Sequence, residues 1–286
     1  MKPLKYFLQF FFISILLIVF KIIGLRLSRI ISSNLSQIFG PFFRSKEIIE
    51  KNISFAFPNK DQNFKKNITN EMWKSYGKIL AEYIFIKYFR KNKSEKFLDI
   101  KGKEILERIR VSNNPVIFVS GHFDNFELMA MHIEKSGIDL AAIYRPLNNN
   151  FLNPLMENIR KKYICRKQIK KGISGTKQIL KNFKSGTSIA LMIDQRVSQG
   201  IKSLLFGKEA FTTTIPAQFV KKFKCKIVPI YIERKNNENF MLEIMEPITF
   251  NNDQTIEDIT LRLNQLLEKM IIRNPYQWIW SHNRWK

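Results

Sequence analysis

The stretch VIFVSGHFDNFELMAMHI, residues 116–133, decides the fold class of this chain. A short apolar run is followed by a Gly–His turn, and then apolar side chains return at Phe126, Met129, Ala130 and Ile133, the spacing of a helix face. A buried strand feeding a helix has this pattern. Comparable runs occur at PVIFVS (115–120, the strand just described), LAAIY (140–144), SIALMI (188–193) and KIVPIYI (226–232), and helical patterns separate several of them. The alternation predicts an α/β domain with a mostly parallel sheet flanked by helices on both faces. Pro229, which offers no N–H to a ladder, predicts an edge position or a bulge for the last run. Helices are expected along Met72, Tyr76, Ile79, Leu80 and Tyr83, and along Ile256, Ile259, Leu263, Leu266, Leu267 and Met270, the second stopping before Asn274 and Pro275. The polar stretches at 58–67 and 90–96 read as surface loops.

The amino terminus is of another kind. In KYFLQFFFISILLIVFKIIGLRL (5–27), little but Gln9, Ser14 and Lys21 interrupts the apolar run between Phe7 and Leu25, close to the roughly 20 residues that cross a bilayer. No small-residue cleavage site follows, so a retained anchor over residues 1–27 is expected, with the remaining domain over 28–286. A tilted span and a monotopic interfacial helix both fit. Arg26, Arg29 and the later basic residues outweigh Lys2 and Lys5, which sets the domain on the cytoplasmic side. Across 286 residues, 48 Lys and Arg against 24 Asp and Glu give a net charge of +24, suited to anionic lipid, an acidic carrier protein or nucleic acid. The basic residues are scattered, and a composition rich in Lys, Asn, Ile and Phe accounts for them equally well. No nucleic-acid motif is present, so nucleic acid is not an expected partner. Cys165 and Cys225 have no CxxC spacing, and His122, His132 and His282 form no HExxH pair, so no metal is expected.

In open α/β sheets ligands bind at the carboxyl ends of the strands. Here those ends carry Gly121 and His122, then Tyr144 and Arg145, then Asp194, Gln195 and Arg196. His122 and Glu127 are five residues apart, and within one helix their side chains would diverge by roughly 140°. They meet only if His122 precedes the helix, with Asp124 or Asn125 as its cap and Glu127 folding back from the first turn. A carboxylate on one imidazole nitrogen leaves the other free to take a proton from a hydroxyl. The competing reading makes His122 a turn residue and Glu127 a first-turn acid complementing the helix dipole. His132 falls off the apolar stripe, and Asp194 reads equally as a strand-end acid in an ion pair or as a holder of the site's loops.

Taken in order, these residues resemble a family. SGHFDNFE (120–127) is similar to the GHFGNWE block of the lipid A biosynthesis acyltransferases, the lauroyl/myristoyl transferases of the lysophospholipid-acyltransferase superfamily. IYRPLNNNFLNPLMENIRKKY (143–163) resembles that family's YRP block, ALMIDQR its strand ending in DQ, LLFGKEAFTTTIPAQFVKKFKCKIVPIYIER its FG, TTT, PA and VP-ER stretch, and QWIWSHNRW its terminal tryptophan-rich signature. The likeness covers most of residues 28–286.

The resemblance implies a membrane-bound enzyme at the cytoplasmic face of a bacterial inner membrane. It moves a fatty acyl chain from acyl carrier protein to a hydroxyl of a lipid A precursor; a histidine base makes direct transfer the expected route, with no covalent intermediate, and no cofactor is expected. It implies His122 as base, Glu127 as its partner, and Arg160 and Asp194 as further catalytic residues; Tyr144, Arg145, Asn125 and Gln195 beside them are candidates for binding substrate. Asp124 and Phe126 depart from the family's glycine and tryptophan, putting a negative charge two residues from the base. Serine hydrolase chemistry lacks its GxSxG element here. Two alternatives stay open: acyl transfer to a lysophospholipid or glycosylated phosphoinositide, from acyl-CoA or acyl carrier protein, and a cationic membrane-tethered binding protein.

Overall fold

A computed structural model describes residues 2–91, 97–236 and 238–286. Its central sheet has seven strands: β1 (Leu98–Lys101), β2 (Ile117–Ser120), β3 (Leu140–Tyr144), β4 (Lys167–Lys170), β5 (Ser188–Met192), β8 (Ile227–Lys235) and β9 (Asn239–Ile244). Their order is β1-β9-β8-β2-β5-β3-β4, and every neighbouring pair is parallel except β8 with β9. A separate antiparallel hairpin joins β6 (Ile201–Leu205) to β7 (Lys208–Thr212). All four apolar runs of the sequence are strands, because a chain buried on both faces needs continuous apolar residues rather than alternation. This is the α/β class expected.

β8 departs from the expectation set by its proline. It lies inside the sheet, between β2 and β9. Pro229 sits where one ladder hands over to the other: the parallel register with β2 ends at Val119 opposite Pro229, and the antiparallel register with β9 begins one residue later, at Ile230 opposite Ile244. Its carbonyl still accepts from the Met245 amide at 3.0 Å, so the missing N–H leaves no gap in either run.

Ten α-helices accompany the sheet among the described residues: α1 (Lys2–Phe39), α2 (Lys46–Ala56), α3 (Gln62–Tyr83), α4 (Ile86–Arg90), α5 (Lys103–Ser112), α6 (Glu127–Lys135), α7 (Leu152–Ile159), α8 (Ile173–Lys184), α9 (Ile215–Phe223) and α10 (Ile256–Arg273). α1 is long and apolar enough to cross a membrane and breaks helical geometry at Gly24 (φ 82°). Residues 27 and 28 lie beyond that break, inside one helical segment. The loop expected at 58–67 is shorter, because the Asp61 carboxylate caps α3 by accepting from the Phe64 amide at 2.8 Å. Residues 92–96, in the second expected loop, lie outside the described residues.

α3 is covered on more than one side, so its buried residues do not form the single stripe expected. Met72 is buried with Trp73, Ser75, Gly77, Ala81 and Glu82, whereas Tyr76, Ile79, Leu80 and Tyr83 are half-buried. α1 explains part of this: a Cβ on Gly77 would stand 2.1 Å from the Ser32 carbonyl oxygen, so only glycine lets the two helices approach. α10 follows its expected stripe through Ile259, Leu263, Leu267 and Met270, and Thr255 with Asp258 forms a capping box at its start.

Candidate active site

β2, β5 and β3 are neighbours and parallel, so the residues after each converge on one edge. A cavity of about 500 Å³ opens there, lined by His122, Glu127, Tyr144, Arg145, Arg160 and Gln195. Its floor follows from register. Phe118, Ala190 and Ala142 align across three strands, and Ser120 and Met192 across two of them, two residues further on. Side chains in register face the same side of a sheet, and all five line the cavity. Met129, Ala130 and Ile133 of α6 line it as well, and the small Ala142 and Ala190 leave the space between helix and sheet open.

His122 precedes α6, as the spacing required, but the carboxylate on its ring is Asp194. Imidazole Nδ1 lies 2.8 Å from Asp194 Oδ1. Asp194 Oδ2 accepts from the His122 amide at 2.6 Å and from Trp278 Nε1 at 2.9 Å. Burial raises the carboxyl pKa of Asp194, but the His122 ring and these donors outweigh it and hold the group below the ordinary range. An ionised acceptor at Nδ1 selects the tautomer that carries its proton there. Nε2 is then the acceptor nitrogen, 3.4 Å from the Gln195 amide nitrogen, and the Phe126 ring stands edge-on to the imidazole at 4.7 Å.

Glu127 is engaged elsewhere, which corrects the expected His122–Glu127 contact. As the first residue of α6, it accepts at Oε1 from Arg160 Nε (2.8 Å), from Arg160 Nη2 (2.6 Å) and from the Tyr83 hydroxyl. Burial pushes the Tyr83 phenol well above its ordinary pKa, and Glu127 adds to the rise, so the hydroxyl remains a donor. The Arg160 guanidinium lies over the Tyr144 ring at 5.7 Å, and the Tyr144 hydroxyl donates to Glu157 at 2.7 Å. The site therefore holds two carboxylate-centred pairs, Asp194 with His122 and Glu127 with Arg160.

Asp124 and Asn125 do not cap α6; no side chain does. Both turn into the core. Asp124 has a left-handed backbone (φ 33°), a region glycine favours and aspartate tolerates. Its carboxylate accepts from Ser75 Oγ (2.7 Å), Arg234 Nη2 (2.6 Å) and the Asn125 amide (2.7 Å). Asn125, expected to bind substrate, donates instead to Glu82 at 2.7 Å. Glu82, fully buried, also accepts from Arg29 Nε and Arg234 Nη1, each at 2.6 Å. Two cations and two anions thus balance behind the loop, and the charge of Asp124 is spent on Arg234 rather than on the base. Glu82→Ala would leave Arg29 and Arg234 buried with one carboxylate between them. We expect a loss of about 3–5 kcal/mol, read as a shifted unfolding midpoint in detergent.

Several residues at the site were not picked out in the sequence. Tyr83 and Trp278 hold the two carboxylates, and Arg44 and Lys171 join Arg145 in the cavity lining. Among the described residues no carboxylate lies within ion-pair distance of these three cations. Burial lowers the Lys171 pKa, and Arg145 lowers it further. His282 also lines the cavity and accepts the Arg196 amide at its Nε2, 3.0 Å away.

Burial holds both His282 and His132 at a pKa of about 4, against 6.5 for a free side chain. Between those values the unfolded chain binds more protons than the folded one, so stability is complete above pH 6.5 and falls as pH drops toward 4. Thermal unfolding midpoints should decline over that window, and His132→Leu should flatten part of the decline.

A family model of bacterial lipid A biosynthesis acyltransferases matches residues 1–286. Among characterised relatives, the chain is 25% identical to the lipid A biosynthesis palmitoleoyltransferase of Escherichia coli K12 over 255 residues, covering 86% of this chain and 80% of the relative. It is 22% identical to the lauroyltransferase of the same organism over 255 residues (85% and 79%). It is 21% identical to the myristoyltransferase over 232 residues (80% and 71%).

Proposed function

Because the chain belongs to the bacterial lipid A biosynthesis acyltransferase family, we propose that it transfers a fatty acyl chain from an acyl carrier protein thioester to a hydroxyl of a lipid A precursor, at the cytoplasmic face of the inner membrane. The observation that carries the reading is the His122–Asp194 pair, whose imidazole lines the cavity at the strand ends. In this scheme Nε2 of His122 takes the acceptor's hydroxyl proton as its oxygen attacks the thioester carbonyl. Collapse of the tetrahedral intermediate breaks the C–S bond, and the imidazolium returns the proton to the leaving thiolate. No acyl-enzyme forms. Arg160 is the group we assign to the developing oxyanion: Nε and Nη2 are fixed by Glu127, and the side chain lines the cavity.

The floor of Phe118, Ala142 and Ala190 suits a hydrocarbon chain, and a volume of about 500 Å³ lies within the range of ligand sites. Arg44, Arg145 and Lys171 supply positive charge for phosphates on acceptor or donor. Transfer from acyl-CoA to another lipid would use the same base and is an outcome of the test. Purified full-length protein is given lipid A precursors, glycerolipids and a mixture of acyl carrier protein thioesters and acyl-CoAs, and the products are weighed by mass spectrometry. An acyl increment on a lipid A precursor drawn from acyl carrier protein supports the reading. Product only on a glycerolipid, or only from acyl-CoA, rejects it. Ala190→Leu fills part of the cavity floor and should shift the product distribution toward shorter chains.

A further inference from the structure

The second part of α1, past Gly24, is inside out for a protein in water. At 100° per residue, Leu27, Ile31, Leu35 and Ile38 fall within about 80° of arc on one face. That face is exposed: Ile38 is 61% accessible, and the apolar row continues past the helix into Phe42 (82%) and Phe43 (74%). The opposite face is polar and buried, with Arg29 and Ser33 at 4% and 7% accessibility, and Ser32 and Ser28, at its border, are buried as well. Arg29 on that inner face is held by Glu82, and the Ser28 hydroxyl donates to the Phe20 and Gly24 carbonyls beside the break at Gly24. Polar contacts therefore face the domain, and aliphatic and aromatic side chains face outward.

From this we infer that residues 25–43 form a second lipid-contacting surface, lying in the membrane interface and setting the cavity mouth at headgroup level. The inference rests on the membrane reading above and extends it beyond the anchor expected over residues 1–27. Three observations favour lipid as the occupant. The outward face follows directly in the chain on a half-helix that also exposes apolar residues, such as Phe12 and Ile18. Its amphipathic sense is reversed from that of a helix packed on a core in water. Arg44, the residue after Phe43, lines the cavity together with Arg145 and Lys171, which puts cations where headgroup phosphates lie. The first half-helix also packs on the loop after β3: the Asn149 amide donates to the Tyr6 carbonyl at 2.9 Å, and Phe7 meets Phe151 at 5.7 Å. An acceptor held in the bilayer then reaches the mouth sideways, without leaving the membrane.

The test uses the full-length chain with Cys225→Ser, Cys165 being buried. Single nitroxide labels are placed by Ile31→Cys, Ile38→Cys and Phe42→Cys. Phe12→Cys serves as the anchor control and Lys177→Cys as the water-exposed control, all in phosphatidylethanolamine/phosphatidylglycerol vesicles. Power saturation should show labels 31, 38 and 42 colliding with oxygen several-fold more than with a water-soluble nickel chelate, like label 12 and opposite to label 177. Nickel access at 31, 38 and 42 with label 12 still in lipid overturns this inference alone. Nickel access at label 12 as well overturns the membrane reading on which it rests. Exclusion of both reagents, with spin–spin broadening between copies, assigns the face to a second copy of the chain and also overturns it. The readout needs no turnover, so failure of the acyl-transfer reading leaves it intact.

Discussion

His122→Ala should lower kcat for acyl transfer by roughly 10²–10⁴-fold, the range a positioned general base contributes. The imidazole acts on a proton that moves only in the transition state, so KM for donor and acceptor should change little. The fold should survive. The ring is partly exposed at the cavity, and its removal orphans only one oxygen of Asp194, whose other oxygen keeps two donors. Initial rates with the acyl donor and acceptor that the product analysis identifies, together with an unfolding midpoint, separate these outcomes. Near-normal kcat in a folded variant would remove His122 from the chemistry.

Asp194→Asn should be about as damaging, by a different route. The carboxylate accepts at both ends: Oδ1 from the imidazole, Oδ2 from the His122 amide and Trp278 Nε1. An amide has one accepting end. The two donors at Oδ2 retain the oxygen, so the NH₂ group faces Nδ1 and forces the ring proton onto Nε2. A base with its accepting nitrogen blocked cannot take the hydroxyl proton, and we expect kcat to fall roughly 10²–10⁴-fold; an Asp→Asn change of the same sense in a serine-protease triad costs about 10⁴. The variant should remain folded, since amide and carboxylate have the same shape, and circular dichroism with an unfolding curve checks that. Activity within a few-fold of the parent would mean that the tautomer is set by something else.

The base is the one the local sequence suggests, but its partner is not, and the difference has a physical source. The strands were legible because burial on both faces demands apolar runs, and the residues that follow them (His122, Tyr144, Arg145, Asp194, Gln195) could be gathered on one edge by the rule for parallel sheets. Which of them touch depends on strand order. β2 and β5 are separated in the chain by β3 and β4 yet lie side by side, so the acid nearest the histidine in space is Asp194 rather than Glu127. Strand order leaves no local trace in a single sequence. The same holds for Tyr83 and Trp278, which come from the end of α3 and from the carboxy-terminal segment. Asn125 departs from its expected place for a smaller reason: beside the left-handed backbone at Asp124, the two side chains meet Arg234 and Glu82 and do not line the cavity. Pro229 misled because the rule for prolines in sheets presumes a strand with both ladders running through the residue, and here they meet at it.

The most direct measurement is the imidazole ¹⁵N spectrum of His122, assigned by substitution, in the parent protein, Asp194→Asn and Glu127→Gln, at a pH where the ring is neutral. We expect a proton on Nδ1 in the parent and in Glu127→Gln, and a shift to the Nε2–H form in Asp194→Asn alone. A parent ring protonated on Nε2, or a tautomer that changes with Glu127 and ignores Asp194, would contradict that expectation.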